Sequence, residues 1–238
     1  MNSFEHLAPL ATPGPLPHDG GAFRDLVVLL HGNNQNSDWH GKDLDGDGAQ
    51  GHKAELVQML LDAGHAVLTL KSPGDNWDAV EDGGPIVEPD EIERYVMPIV
   101  NAVREFQLLR PDVPTHWMGF SAGTVGASCA VTRDPNAVSL TMFCGTGRVQ
   151  FMAEAGLSLP VFVGYGGADS TWKPDAIERG LARWEGQTSA VLYRSDRGRT
   201  NKKFHDGSGT DLGFLLPLQR HIAHRKYFGP ALEHAGLR

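Results

Sequence analysis

Cysteine is scarce in this chain of 238 residues, because only Cys129 and Cys144 are present. Two thiols do not make a disulfide framework, so we expect both to be small buried hydrophobic residues in a reducing compartment. Long apolar runs are also missing, since no stretch reaches the roughly 18–20 residues that cross a bilayer. The segment Met1–Gly21 lacks the charged and apolar regions of a signal peptide. These absences predict a cytoplasmic protein without a membrane span.

A dense stripe of basic residues is a third feature that the sequence lacks. The formal net charge is −8, and the nearest candidate, Arg194–Lys203, mixes its basic residues with Asp196. Nucleic-acid binding needs a clustered basic footprint, so this class of function is not expected. The oligomeric state stays open.

Two kinds of apolar segment alternate along the chain: short continuous runs typical of buried strands, and longer segments with apolar residues at helical spacing. Leu26–Leu30 is a continuous apolar run, which is typical of a strand buried on both faces of a parallel sheet. Asp90–Leu109 has apolar residues at helical spacing, with Pro98 expected to bend or split the helix. Further strands are predicted at Ala66–Leu70, Thr115–Gly119, Ala137–Phe143, Pro160–Val163 and Ser189–Tyr193, and further helices at Ala54–Leu61, Ala122–Arg133, Pro174–Trp184 and Asp211–Arg225.

This alternation predicts one α/β domain over residues 25–238, after an irregular lead-in at residues 1–24. Strands that alternate with helices form parallel βαβ units, so we expect a mostly parallel central sheet with helices on both faces. In such sheets functional groups gather at the carboxyl ends of the strands.

The segment Gly119-Phe120-Ser121-Ala122-Gly123 fits G-x-S-x-G between a predicted strand and a predicted helix. A serine there sits at a sharp turn, where flanking side chains would clash. Ser121 is therefore the candidate nucleophile. The Ala122 N–H, at the start of the next helix, is free to bind an oxyanion.

A serine hydroxyl needs a base that is held by a carboxylate. Asp169 follows the strand Pro160–Val163, and His205 follows the last predicted strand, so both come in the required order after Ser121. Asp175 and Asp196 are alternatives for the acid, and His221 and His224 for the base.

The second oxyanion donor should come from the loop after the first strong strand. That strand runs into His31-Gly32-Asn33-Asn34, so we assign the Asn33 N–H, with Asn34 as its neighbour or substitute. His31 is interpreted as a structural hydrogen-bonding group.

The segments Leu26–Gly32, Gly119–Gly123 and Gly166–Asp169, together with His205, resemble the α/β-hydrolase superfamily over about residues 25–225. Within it the chain most resembles the carboxylesterase/phospholipase group that includes acyl-protein thioesterases, and dienelactone-hydrolase-like and polyhydroxyalkanoate-depolymerase-like esterases are close rivals. The resemblance implies a three-layer α/β-hydrolase fold, reduced at the N-terminus.

It also implies an enzyme that hydrolyses carboxylic esters or thioesters through an acyl-enzyme on Ser121, with no required cofactor and an ester as its small-molecule or acyl substrate. A polyester depolymerase, an acyltransferase, a peptidase and a non-catalytic binding module on the same fold are the alternatives.

The loop after the first strand carries acidic residues at alternate positions, Asp43, Asp45 and Asp47, followed by Gly48. This matches the first half of a calcium loop, although Ala54 stands where the full loop has a glutamate. A structural Ca²⁺ site and a solvated acidic turn are equally compatible with it.

Three tryptophans follow predicted strands near the expected mouth of the site. They could line an acyl pocket or pack in the protein, so substrate binding by Trp39, Trp77, Trp172 and the neighbouring Asn34 is a hypothesis.

Overall fold

The computed structural model describes residues 23–30, 49–70, 96–108, 110–120, 122–143, 145, 147, 149–166, 174–182, 190–195 and 228–237. Within these ranges the chain forms a six-stranded sheet with the order β2-β1-β3-β4-β5-β6. The strands are β1 Leu26–Leu30, β2 Ala66–Leu70, β3 Thr115–Phe120, β4 Ala137–Phe143, β5 Val161–Gly166 and β6 Ala190–Ser195.

Every neighbouring pair in this sheet is parallel, so the predicted parallel α/β architecture is confirmed. Each of the predicted strands exists, and three of them have the predicted bounds. The central strands are apolar on both sides because helices cover both faces: all five residues of β1 have no exposed surface.

Helices alternate with these strands. Their bounds are α1 Ala49–Asp62, α2 Met97–Gln107, α3 Gly123–Ala130, α4 Val149–Glu154, α5 Pro174–Leu181 and α6 Phe228–His234. A 3₁₀ turn, Val131–Arg133, follows α3 directly. The sequence therefore predicts helices at the right places for α1, α2, α3 and α5.

Several predicted helix boundaries were wrong. The helix α1 begins five residues before the predicted Ala54, and α3 begins at Gly123 and changes to a 3₁₀ turn before Arg133. The helices α4 and α6, of six and seven residues, were not predicted because so few turns leave no clear apolar period. The predicted helix Asp211–Arg225 lies outside the described residues.

The α-helix α2 begins one residue before Pro98, which places this proline in its first turn. There the missing N–H removes no intrahelical hydrogen bond. The expectation that Pro98 bends or splits the helix stays a prediction, because residues 90–95 lie outside the described residues.

The direction in which the chain crosses the sheet decides which face each helix covers. From β1 the chain moves to one neighbour, β2, and then returns past β1 to β3. With right-handed crossovers, this reversal puts α1 on one face and the helices from α2 to α5 on the other. Two separate apolar cores show this: Leu56 and Leu60 of α1 pack with Ala231 and Leu232 of α6, and Val100 of α2 packs in the other core.

Polar contacts fix the amino end of β3 on one face of the sheet. The buried Asp134 carboxylate accepts hydrogen bonds from Trp117 Nε1 at 2.9 Å, from Gln107 Nε2 at 3.1 Å and from the Asn136 N–H at 3.0 Å. A buried carboxylate with three donors is well compensated for its desolvation. This network joins the end of α2 and the 3₁₀ turn to the strand that leads into Ser121.

On the opposite face His116 Nδ1 lies 2.7 Å from Ser139 Oγ, which joins β3 to β4. Burial lowers the pKa of His116 from its ordinary 6.5 to about 4; the Asp25 carboxylate opposes this shift, and His65 adds to it. His65 in turn lies 3.2 Å from Asp25 and 2.9 Å from the carbonyl oxygen of Leu237, so this cluster also anchors the chain beyond α6.

The depressed pKa of His116 predicts a loss of stability in acid. The unfolded chain binds a proton at this side chain below about pH 6.5, whereas the folded protein does so only below about pH 4, so stability falls as the pH drops through this window. Between pH 7 and pH 5 the loss is about 2 kcal/mol. We expect His116→Asn, which can still bond Ser139 but does not titrate, to lack this part of the pH dependence in urea unfolding. If the free energy of unfolding changes with pH equally in wild type and in His116→Asn, this prediction is wrong.

Candidate active site

The strand β3 ends at Phe120, and α3 begins at Gly123, so two residues connect them. These are Ser121 and Ala122, whereas the predicted bounds left Phe120 and Ser121 between the strand and the helix. Ser121 itself lies outside the described residues, while both flanking elements are described. The candidate nucleophile therefore belongs to a two-residue strand-to-helix turn, which is the context that G-x-S-x-G requires.

Gly119 shows why this turn needs a glycine. A Cβ atom at Gly119 would lie 2.6 Å from both the carbonyl oxygen of Gly123 and the Cα of Thr124. Both are backbone atoms, which cannot move away as a flexible side chain can. The end of β3 and the first turn of α3 thus meet backbone to backbone, and any side chain at this position would force them apart.

Ala122, the predicted oxyanion donor, is the one assigned site residue that the structure describes. It is buried and precedes the helix as its N-cap, and its carbonyl oxygen accepts a hydrogen bond from the Val125 N–H at 3.0 Å. The first N–H groups of a helix have no intrahelical acceptor, and the helix dipole makes this end favourable for negative charge. The position of Ala122 is therefore compatible with the predicted role.

The other predicted catalytic residues follow strands that end at the same edge of the sheet. Asn33 comes three residues after the end of β1, Asp169 three residues after β5, and His205 ten residues after β6. In the sheet β1 is the neighbour of β3, and β5 is the neighbour of β6. Asn33, Asp169 and His205 lie outside the described residues, so their roles stay predictions.

The remaining predicted site residues also lie outside the described residues. They are Asn34, Trp39, Trp77 and Trp172 for substrate, Asp43, Asp45 and Asp47 for calcium, and the alternatives His31, Asp196, His221 and His224. Among the residues that are described, no group of three or more His, Cys, Asp or Glu side chains could hold a metal ion.

Asp175, an alternative for the catalytic acid, is described and lies in the first turn of α5, where it is exposed to solvent. An acidic residue in the first turn stabilises a helix through its dipole. Such a position suits a structural role for Asp175, and the choice of the catalytic acid stays a prediction because Asp169 and Asp196 lie outside the described residues.

Cys129 is buried within α3, as predicted for a small hydrophobic residue, while Cys144 lies outside the described residues. In the part of the chain that the structure describes, no helix has the length and apolar character needed to cross a membrane.

Sequence reasoning missed one neighbour of α3, the glycine Gly147 that follows β4. Gly147 lies against α3, and its N–H donates a hydrogen bond to Thr124 Oγ1 at 3.2 Å. Its backbone has a positive φ of 55°, which favours glycine. The pair Gly145 and Gly147 directly after an apolar strand was the available signal.

Solved structures of similar shape are numerous. Dienelactone hydrolase from Anabaena variabilis matches with a TM-score of 0.54 and 17% identity, covering 88% of this chain and 87% of its own. Esterase PE8 matches with a TM-score of 0.53 and 20% identity, covering 89% of this chain and 96% of its own. A cold-adapted esterase from an Arctic intertidal metagenomic library matches with a TM-score of 0.53 and 16% identity, covering 84% of each chain.

The fold is that of the α/β-hydrolases. At such low identity the likeness establishes the fold of this chain. Scans against protein-family models and against curated proteins gave no match. In α/β-hydrolases the nucleophile elbow is a strand-to-helix turn with the pattern G-x-S-x-G. In this chain the turn between β3 and α3 carries that pattern.

The backbone contact at the elbow predicts the effect of Gly119→Ala. The added Cβ meets backbone atoms at 2.6 Å, so we expect a loss of about 3 kcal/mol in the free energy of unfolding, at the upper end for overpacking. Gly156→Ala is a matched control, because Gly156 has a positive φ but no atom near its would-be Cβ; backbone strain alone should cost it about 1 kcal/mol.

Urea unfolding of the two variants measures the difference. If Gly119→Ala proves no less stable than Gly156→Ala, the close approach of β3 and α3 is not a constraint on this fold.

Proposed function

We propose that this protein is a serine hydrolase that cleaves carboxylic esters through an acyl-enzyme on Ser121. The observation that carries the proposal is the strand-to-helix turn between β3 and α3, in which Ser121 comes two residues after Gly119, whose close approach to α3 disfavours any side chain. The names of the similar structures, which include esterases and a dienelactone hydrolase, support ester hydrolysis as the reaction.

In this mechanism His205 accepts the hydroxyl proton of Ser121 as Oγ attacks the ester carbonyl carbon. Asp169 orients the imidazole and stabilises its charged form. The developing oxyanion receives hydrogen bonds from the N–H groups of Ala122 and Asn33, and loss of one such donor typically slows a reaction by about 10²–10³. The N-terminus of α3 adds a favourable dipole at the same point.

The tetrahedral intermediate then collapses. The bond from the acyl carbon to the leaving oxygen breaks, and the alcohol takes the proton from His205. Water next attacks the acyl-enzyme and gives its proton to His205, which returns the proton to Ser121 as the acid leaves. All of these steps use side chains, backbone N–H groups and water, so the proposed reaction requires no cofactor.

The alternatives on this fold differ in the group that carries or accepts the acyl unit. A thioesterase or a polyester depolymerase would use the same Ser121 chemistry on another leaving group, and an acyltransferase would replace water with a second alcohol. A non-catalytic binding protein would keep the fold without turnover.

The first test is hydrolysis of p-nitrophenyl esters by wild type and by Ser121→Ala. We expect the substitution to lower kcat/KM by a factor of about 10⁴ or more, because the nucleophile is lost while the oxyanion donors remain. Ser158→Ala is the control, since Ser158 is exposed in front of β5 at the opposite edge of the sheet, and it should keep wild-type activity.

A wild-type protein that hydrolyses none of these esters would contradict the proposed reaction. A Ser121→Ala variant that keeps the activity would show that another residue is the nucleophile.

A further inference from the structure

The first turn of α3 is held from two directions. On one side is the end of β3, where Gly119 approaches the backbone of Gly123 and Thr124. On the other side is the segment after β4, where the Gly147 N–H donates to Thr124 Oγ1 at 3.2 Å. Thr124 has no exposed surface, so this hydrogen bond is shielded from water on the side of the threonine.

The contact at Gly147 is as tight as the one at Gly119. A Cβ at Gly147 would lie 2.3 Å from the carbonyl oxygen of Thr124 and 2.4 Å from Ser128 Oγ. Ser128 is itself held, because its hydroxyl donates to the carbonyl oxygen of Val125 at 3.0 Å. The backbone of Gly147 therefore lies directly on α3, with no room for a side chain at this position.

These contacts bear on the nucleophile because of their place in the chain. Thr124 comes three residues after Ser121 and occupies the second position of α3. A shift of the first turn of α3 would carry Ala122 with it, and Ala122 is bonded directly to Ser121. Catalytic rates are sensitive to such shifts, since a displacement of about 1 Å can cost a hundredfold in rate.

We propose that Thr124 is a positioning residue for the nucleophile, and that its hydroxyl acts by tying the elbow helix to the backbone of Gly147. This inference rests on the proposed serine hydrolase function. Thr124 is fully buried, so it acts through the position of α3 and makes no contact with substrate.

The test compares Thr124→Val with Thr124→Ser. Valine has nearly the shape of threonine but cannot accept the hydrogen bond from Gly147, whereas serine keeps the hydroxyl. We expect Thr124→Val to lower kcat about tenfold with KM within twofold of wild type. Thr124→Ser should restore kcat to within about threefold of wild type.

Thr132→Val is the matched control for a loss of stability. Thr132 follows α3 at its other end, and its hydroxyl donates to the carbonyl oxygen of Cys129 at 2.7 Å. The substitution also removes a threonine hydroxyl that bonds the backbone, far from the elbow, although this hydroxyl donates to the backbone and accepts from Arg133 Nη1 at 3.0 Å. It should lower the melting temperature and leave kcat unchanged.

If Thr124→Val and Thr132→Val have the same kcat, or if Thr124→Ser is as slow as Thr124→Val, the positioning role is wrong. If Thr124→Val does not fold, Thr124→Ala removes the same oxygen without adding a methyl group, and the same outcomes apply to it. Failure of the proposed function has a different signature, because ester hydrolysis would then be absent from wild type or retained in Ser121→Ala.

Discussion

The backbone contact between the end of β3 and the first turn of α3 is the constraint on which the candidate site depends. Since a Cβ at Gly119 would lie 2.6 Å from two backbone atoms of α3, strand and helix can meet at this angle only through a glycine. The tight turn leaves Ser121 and Ala122 as the only residues between the two elements. It thereby fixes where a nucleophile and an oxyanion donor can stand in this fold.

The sheet order gives that turn its neighbours. Because the chain reverses direction between β2 and β3, β3 lies beside β1, and the loops after both strands start at one edge of the sheet. This reversal is the topological switch point at which α/β sheets bind ligands. Near the amino end of β3, Trp117 donates a hydrogen bond to Asp134 on one face of the sheet, and His116 contacts Ser139 on the other. The strand that leads into Ser121 is therefore anchored on both faces.

Much of the fold could be predicted because strand composition and helix period are local properties of the sequence. The run Leu26–Leu30 is apolar at every position, and the structure buries every one of these residues. The helices α4 and α6 were missed since their stability comes from packing that a short segment does not reveal. The contact of Gly147 with Thr124 joins residues that are 23 positions apart. A local sequence pattern cannot predict a contact between residues so far apart.

The central claim is that Ser121 is the nucleophile, and labelling with a fluorophosphonate followed by peptide mapping tests it most directly. The reagent forms a covalent bond only with a serine that a neighbouring base activates. We expect about one label per chain, on the peptide that contains Ser121, and none in Ser121→Ala. A label on another serine, or ester hydrolysis by a protein that takes up no label, would contradict the account.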